Sequence, residues 1–207
     1  MSDFNLDWIN YYLDKRPKVI FDIGCFDCSE SLQFKRRFPQ TDIYAFEASP
    51  KNYNRIITNP NITSQVRVFN MALCDKIGEI DFHDSYGVNE CSGSILESCH
   101  TREDLKFHSA VKVPATTISH FCATQGIPNV DVIHMDVQGA EYYVMKGIGE
   151  IRPEIIFCET AEYDNYKGAL TMEDLDDLMT DLGYRIEKVL EFDTLYVKKE
   201  NVRTSLP

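Results

Sequence analysis

The 207-residue sequence predicts an α/β protein whose sheet is mostly parallel and doubly wound, with an antiparallel hairpin at its C-terminal end. Short apolar runs alternate with amphipathic segments along the chain, a pattern typical of a parallel sheet with helices on both faces. The run VDVIHMDV at 130–137 is apolar enough for the buried centre of such a sheet. With 43% apolar residues, the chain is long enough for one well-buried domain, so we expect residues 1–207 to form a single domain.

Apolar runs that end in polar or glycine-containing turns predict the individual strands. They lie at residues 18–24, 42–48, 65–73, 130–137 and 153–160. Further on, YRIEKVLE and DTLYVKK predict a hairpin around Phe192 and Asp193, which is most easily placed at the edge of the sheet. A helical segment is expected within residues 1–17.

Capping residues predict where three of the helices begin. Asp27, with a glutamate three residues later, is expected to be the N-cap of the helix after the first strand. Ser49, followed by proline, should cap the helix after the second strand. Thr171, with an acidic residue three positions on, should cap a late helix that ends at Gly183.

Residues 84–110 fit no regular element, because they mix polar residues with glycine and serine. An irregular segment of this length inside a compact domain is usually functional or disordered. His83, Tyr86, His100 and His108 lie in or beside it, where a solvated loop is the ordinary interpretation and a role in shaping a substrate site is the sharper one. We expect this segment on the substrate side of the molecule.

The formal net charge of −12 argues against nucleic acid as a partner, because it repels a phosphate backbone. No run approaches the ~20 apolar residues of a membrane span, and the first residues lack the basic and apolar regions of a signal peptide. These features predict a soluble, cytoplasmic protein without a membrane association. The sequence carries no signal for an oligomeric state.

Seven irregularly spaced cysteines do not resemble the disulfide framework of a secreted protein, so we expect reduced thiols. Cys25 and Cys28 form a CxxC motif at the start of a predicted helix, where the pKa of a thiol can be lowered, and a redox role is therefore one hypothesis. A structural zinc site would need a second close pair of Cys or His residues. We predict no metal.

Ligands of open α/β sheets bind beyond the carboxyl ends of the strands, where the strand order reverses. Residues predicted to meet at this edge are Asp22, Gly24, Glu47, Asp136 and Glu159. A nicotinamide cofactor is disfavoured, because GCFDCS has a single glycine where a pyrophosphate-binding loop needs several. Glu47 is placed to accept the ribose hydroxyls of a nucleoside, and a cationic nucleoside without phosphates, such as S-adenosylmethionine, suits this acidic turn.

Several segments resemble the FkbM family of S-adenosylmethionine-dependent methyltransferases. They are DIGCFDC, YAFEASP, NMALCD and the region up to residue 160 that contains DVQGAE at 136–141, which is similar to the family motif DVEGxE. The resemblance implies a Rossmann-like class I methyltransferase fold. The sequence departs from the family pattern at Cys25, Phe26, Cys28, His134 and Gln138. The first three lie where the family has its DxGANxG loop, so an alternative to a redox role is that Cys25 and Cys28 simply fill positions of this loop.

The resemblance also implies site roles. Asp22 and Gly24 would lie at the methionine end of the cofactor, Glu47 at its ribose, and Asn70 to Ala72 beside its adenine. The full set of expected cofactor-binding residues is Asp22, Ile23, Gly24, Cys25, Glu47, Ala48, Asn70, Met71, Ala72 and Asp136.

The acceptors that the resemblance implies are hydroxyl groups of sugars, glycans or polyketide-like small molecules. A hydroxyl must lose its proton, and Asp136 is our first candidate for the base and His134 the second. His134 can equally be a core histidine, and Glu141, the third candidate catalytic residue, can simply complement a helix N-terminus. Asp22 and Asp136 can cap helices, and Glu159 with Asp136 is only weak evidence for a hard cation. A non-catalytic module that binds a nucleoside or a partner is the alternative function.

Overall fold

The computed structural model describes residues 4–99, 105–160 and 165–200. The helices in these ranges are α1 (Asp7–Tyr12), α2 (Ser29–Arg37), α3 (Pro50–Ile57), α4 (Pro60–Thr63), α5 (Ile118–Gln125), α6 (Glu141–Lys146) and α7 (Met172–Asp181). The strands are β1 (Val19–Ile23), β2 (Asp42–Phe46), β3 (Arg67–Phe69), β4 (Ala72–Leu73), β5 (Gly78–Phe82), β6 (Ser85–Tyr86), β7 (Lys106–Phe107), β8 (Val111–Thr116), β9 (Val132–Met135), β10 (Ile155–Glu159), β11 (Tyr184–Val189) and β12 (Asp193–Lys198).

The main sheet has the strand order β11-β12-β10-β9-β1-β2-β3. Strands β3, β2, β1, β9 and β10 pair in parallel, and β12 pairs antiparallel with both β10 and β11. The chain first builds outward from β1 to β3 and later continues from β9 to β10 on the other side, so the order reverses between β1 and β9. This confirms the predicted α/β architecture and its C-terminal hairpin.

The sheet separates two apolar layers, because successive side chains of a strand point to opposite faces. On one face Phe21 and Ile133 pack with residues of α5, α6 and α7. On the other face Ile20 and Val132 pack with residues of α1, α2 and α3. Strands buried on both faces leave their carboxyl ends as the place where polar side chains can gather.

A second, smaller sheet has the order β4-β8-β5 and was not predicted. The prediction of one strand over 65–73 is wrong, since β3 ends at Phe69 in the main sheet and β4 belongs to the small sheet. The side-chain amide of Asn70, between the two, donates to the backbone carbonyls of Glu47 at 2.8 Å and Ala48 at 3.1 Å. These bonds occupy acceptors beyond the end of β2, and the chain leaves the main sheet there.

The predicted helix starts are confirmed at two of the three positions. Ser49 accepts the N–H of Asn52, and Thr171 forms the expected capping box at the start of α7. Asp27 as N-cap of α2 is wrong: the N-cap position is Cys28, in the left-handed region at φ 61°. The turn after β1 folds back to donate a backbone N–H to Glu47, which delays the start of the helix.

In the described parts of 84–110, the regular structure is the short pair β6 and β7 and one 3₁₀ turn at Gly87–Asn89. Residues 100–104, with His100, lie outside the described ranges. Tyr86 stacks on His108 with ring centroids 4.5 Å apart. The start of this segment is tied to α3, since Asp84 accepts the hydroxyl of Ser49 at 2.9 Å. In the described ranges, the helices fall short of the length and apolarity that a bilayer crossing requires.

Candidate active site

A cleft with about 550 Å³ of empty space opens at the carboxyl ends of β1, β2 and β9. Of the residues predicted to bind the cofactor or act in catalysis, those that line the cleft are Ile23, Gly24, Glu47, Ala48, Met71, Ala72 and Asp136. The structure thus brings together Gly24, Glu47 and Asp136, which are far apart in the sequence.

Gly24 lies where the end of β1 comes closest to the end of β9. A Cβ atom added at this residue would be 1.9 Å from the backbone oxygen of Asp136, and its φ of 81° is in the left-handed region. Both facts require glycine, because any side chain would push the two strand ends apart. The close approach puts the turn after β1 and the carboxyl group of Asp136 on one wall of the cleft.

Glu47, just beyond β2, has a buried carboxylate that holds two chain segments together. Its Oε2 accepts the N–H of Phe26 at 2.9 Å, and its Oε1 accepts the N–H of Ser49 at 2.8 Å. The nearby side chain of Asn52 also favours its ionised form. Burial raises the pKa of Glu47 to about 8 against these hydrogen bonds, and the nearby Asp84 carboxylate adds to the rise.

Asp136 is exposed at the cleft, and its orientation is fixed by Gln138. The amide nitrogen of Gln138 donates to Oδ1 of Asp136 at 2.7 Å and to Oε2 of Glu159 at 2.5 Å, so an amide group connects the two carboxylates. The single hydroxyl proton of Tyr166 is shared between the amide oxygen of Gln138 at 3.1 Å and the carbonyl of Ser92 at 2.9 Å. Gln138, itself at φ 57°, therefore links the Asp136 carboxylate to the 84–110 segment.

Asp22 and His134 are not among the residues that line the cleft. They are partners on neighbouring strands β1 and β9, with Nδ1 of His134 2.9 Å from Oδ1 of Asp22, and Ser31 donates its hydroxyl to the other carboxylate oxygen. The His134 ring packs against Phe34 and Phe157 in the core. Burial lowers the pKa of His134, but the carboxylate of Asp22, together with those of Glu30 and Asp136, outweighs burial and the net shift is upward. The core-histidine interpretation fits this position better than that of a base.

Cys25 and Cys28 are both buried, with their sulfur atoms 3.4 Å apart. Cys25 and Asn70 do not line the cleft, although both were predicted to touch the cofactor. Burial raises the pKa of the Cys25 thiol well above its usual value, which disfavours the reactive thiolate that a redox role needs. This environment favours the loop-filling interpretation of the CxxC motif.

Several cleft residues were missed by the sequence interpretation, namely Phe26, Asn52, Phe82, Cys91, Gly93 and Ile95. Phe82 belongs to the unpredicted strand β5, and Cys91 to Ile95 come from the irregular segment, which had been placed on the substrate side without naming residues. Gly93 packs so tightly on Phe82 that an added Cβ would be 2.7 Å from its ring. Asn52 could have been identified from the sequence, because it is three residues after the N-cap of a helix that starts at the ligand-binding edge.

Glu141, at the start of α6, is buried below the cleft rather than in its lining. Its Oε1 accepts the N–H of Val137 at 3.1 Å, while its Oε2 has no hydrogen-bond partner among the residues that the structure describes. Burial raises the pKa of Glu141 to about 8, with a further contribution from Asp136. The buried carboxyl group therefore prefers the neutral form in the folded protein.

Because of this shift, Glu141→Gln is expected to flatten the pH dependence of stability. In the unfolded chain the carboxyl loses its proton near pH 4.5, but in the folded chain it keeps the proton until about pH 8. The stabilisation that the protonated Glu141 carboxyl contributes is thus fully present below pH 4.5 and is lost as pH rises through about 8. Across this pH window, the melting temperature should fall less steeply with rising pH for the variant than for the wild type. At the alkaline end, the variant should have the higher melting temperature.

Part of the slope should remain in Glu141→Gln, because Glu47 has a pKa raised to about 8 for the same reason. The matched control is Glu79→Gln, which changes an exposed glutamate of β5. Parallel curves for wild type and Glu141→Gln would contradict the raised pKa.

Comparisons with known proteins agree with this architecture. The curated relative 2-O-methyltransferase NoeI of Sinorhizobium fredii (strain NBRC 101917 / NGR234) is 31% identical over 177 residues, which cover 81% of this chain and 73% of the relative. Methyltransferase sdnD of Sordaria araneosa is 24% identical over 192 residues, which cover 81% and 72%. The crystal structure of the plantazolicin methyltransferase BpumL, in complex with a triazolic desmethylPZN analog and SAH, superposes with a TM-score of 0.51 at 12% identity, covering 92% of this chain and 81% of that one.

The superposition shows that the fold is the Rossmann-like fold of class I methyltransferases. The family model described as methyltransferase FkbM domain matches residues 22–186, which is most of the chain and includes the end of β1, the residues that line the cleft, and α7. The chain belongs to the FkbM methyltransferase family.

Proposed function

We propose that this protein is an S-adenosylmethionine-dependent O-methyltransferase that acts on a hydroxyl group of a sugar, a glycan or a polyketide-like small molecule. The observation that carries the proposal is the convergence of Gly24, Glu47 and Asp136 on one cleft in a chain of this family. The relative NoeI is named as a 2-O-methyltransferase, and BpumL was crystallised with SAH, the product form of this cofactor. Both names support the proposal.

The residues of the cleft fit a nucleoside-type cofactor. Phe46, Met71, Leu73 and Phe82 provide apolar walls for an adenine ring, and Glu47 provides a carboxylate for ribose hydroxyls. Within the described ranges, the Oδ1 atom of Asn52 is a buried acceptor without a partner, as expected of a group that meets a ligand. The turn at Gly24 would hold the amino-acid end next to Asp136.

The cofactor supplies an activated methyl group on a positively charged sulfur. The chain's own contribution is to hold an acceptor oxygen in line with that methyl, and well-oriented reactions of this kind can reach effective molarities of about 10⁵–10⁸ M. The carboxylate of Asp136 is positioned to take the proton of the acceptor hydroxyl at Oδ2, since Oδ1 accepts the Gln138 amide. Phe82 and Ile95, which pack in one apolar cluster, add apolar surface to the lining of the cleft.

The direct test is to incubate the protein with S-adenosylmethionine carrying a labelled methyl group and a panel of glycosides, oligosaccharides and small polyketide-like alcohols. Mass spectrometry would detect the transferred methyl, and NMR would assign it to an oxygen. Transfer to nitrogen or carbon would contradict the O-methyltransferase assignment. Cofactor binding without transfer to any acceptor would instead favour the non-catalytic module.

Above pH 8 the Glu47 carboxyl is ionised, so Glu47→Gln should there weaken S-adenosylhomocysteine binding by about 10- to 100-fold, because a hydrogen bond to a charged group is worth about 1.5–3 kcal/mol. The amide also presents N–H where Phe26 or Ser49 now donates, so part of the loss reflects the loop. Isothermal titration calorimetry measures the change, with Glu79→Gln as the control. Unchanged affinity in Glu47→Gln would remove Glu47 from the cofactor site.

A further inference from the structure

Gln138 is held in place by two neighbouring segments, although it is buried and is not part of the cleft lining. Its φ of 57° is uncommon in residues other than glycine and persists where the surroundings hold it. The hydroxyl of Ser94 donates to its backbone carbonyl at 2.9 Å, and the hydroxyl of Tyr166 lies 3.1 Å from its side-chain oxygen. The amide group of Gln138 therefore has a fixed position next to Asp136.

The hydrogen bonds of this amide determine which of its ends faces the carboxylates. Its nitrogen carries two N–H groups and lies 2.7 Å from Oδ1 of Asp136 and 2.5 Å from Oε2 of Glu159, so each carboxylate receives one of them. The reverse orientation would place an oxygen acceptor against two carboxylates. A glutamate, which the family motif DVEGxE has at this position, lacks this pair of donors. The double bond to two carboxylates is thus a feature of this sequence.

Tyr166 keeps the amide in this orientation. Its side chain is buried, and its ring lies beside Gly139, where an added Cβ would be 3.2 Å from the ring. Its hydroxyl proton is shared between the amide oxygen of Gln138 and the carbonyl of Ser92. A hydroxyl donor in this place favours the amide oxygen on its own side, which leaves the nitrogen for the carboxylates. Tyr166 can therefore act on Asp136 through Gln138.

The orientation of Asp136 depends on this support, because the residue itself is exposed. An exposed carboxyl group without a bond rotates among several staggered conformations. The bond from Gln138 to Oδ1 selects one of them and leaves Oδ2 for an acceptor hydroxyl. A misplacement of about 1 Å in a reacting group can lower a rate by about 10²-fold. The direction of this one hydrogen bond therefore matters for the rate of transfer.

We propose that Gln138 and Tyr166 are positioning residues for methyl transfer: Tyr166 orients the amide of Gln138, and this amide holds the Asp136 carboxylate toward the acceptor hydroxyl. The inference rests on the proposed function, because it gives Asp136 the role of base. It adds two residues outside the cleft lining to the machinery of the site.

The first measurement needs no acceptor. In protein labelled with ¹³C at the aspartate carboxyl groups, the NMR signal of Asp136 is assigned by its absence in Asp136→Asn. Gln138→Met keeps the length of the side chain without a donor and should shift this signal, and Tyr166→Phe should shift it too. The matched control Tyr184→Phe removes another buried hydroxyl, which donates to the carbonyl of Pro153 at 2.9 Å, and should leave the signal unchanged. An unshifted Asp136 signal in Tyr166→Phe would overturn the inference.

The second measurement uses the panel acceptor that the wild type methylates fastest. Gln138→Met should lower turnover at saturating cofactor by about 10²-fold. Tyr166→Phe should lower it by about tenfold, the value of one hydrogen bond. The affinity for S-adenosylhomocysteine should keep its wild-type value in both variants. Because Tyr166 acts through Gln138, adding Tyr166→Phe to Gln138→Met should lower turnover no further. Gln125→Met, at an exposed position of α5, is the matched control.

Normal turnover in Gln138→Met would overturn the inference, and so would a loss that more cofactor restores. A full additional loss from Tyr166→Phe in the double variant would also overturn it, since the two residues would then act separately. If Gln138→Met does not fold, Tyr166→Phe alone decides, through its NMR signal and its turnover. A wild type that methylates no acceptor of the panel would overturn the proposed function, and the positioning role with it.

Discussion

Asp136→Asn is expected to lower turnover at saturating cofactor by about 10²- to 10⁴-fold, the usual contribution of a positioned general base. Asparagine keeps the shape of the side chain and can still accept the Gln138 amide that now bonds Oδ1. It cannot accept a proton from an acceptor hydroxyl. S-adenosylhomocysteine affinity and the melting temperature should therefore change little, while the rate of methyl transfer to an acceptor identified in the panel falls.

The matched control is Asp81→Asn, which removes the same charge from an exposed position paired with Lys112 on the small sheet. Turnover that recovers when cofactor is raised would mean that Asp136 is a cofactor ligand instead of a base. Normal turnover and normal affinity together would exclude Asp136 from the active site.

Gly24→Ala should lower the free energy of unfolding by about 2–5 kcal/mol, through left-handed strain of about 1–2 kcal/mol and steric overlap of about 1–3 kcal/mol. The overlap is with backbone, since the added Cβ would be 1.9 Å from the oxygen of Asp136. The strand ends would have to separate, so S-adenosylhomocysteine affinity should also fall. Equilibrium urea unfolding and calorimetry measure the two effects.

Gly126→Ala separates the two causes. Gly126, at the C-cap of α5, has a φ of 65° but no atom within 4 Å of an added Cβ. It should therefore show the conformational cost alone and leave cofactor affinity unchanged. Equal destabilisation in the two variants would contradict the close approach of β1 and β9.

The main parallel strands and the ligand-binding edge could be predicted from the sequence, because strands buried on both faces leave continuous apolar runs such as 130–137. The small sheet could not, because half of β8 is exposed and carries lysine and proline, so its apolar signal is weak. The break between β3 and β4 at Asn70 could not be predicted either, but for a different reason. It depends on side-chain bonds to the end of a neighbouring strand, which no local pattern records.

The candidate site was predicted as far as strand ends determine it. Gly24, Glu47 and Asp136 were found because each follows a strand directly. The direction in which each side chain points could not be predicted. Asp22 precedes Gly24 by only two residues, but its side chain pairs with His134 in the core. The apolar wall of Phe82 and Ile95 depends on how the irregular segment folds over the cleft, and its sequence contains no periodicity from which that could be deduced.

The position of β12 has a consequence for how the chain is assembled during translation. Strand β12 lies between β10 and β11, so β11 joins the sheet only by pairing with β12, which is synthesised after it. Until residues 193–198 emerge, β10 presents an unpaired hydrophobic edge of the kind that recruits other chains. The hairpin must then dock as one unit, and a nascent chain stalled before it would be prone to aggregate even though every residue that lines the cleft had already been made.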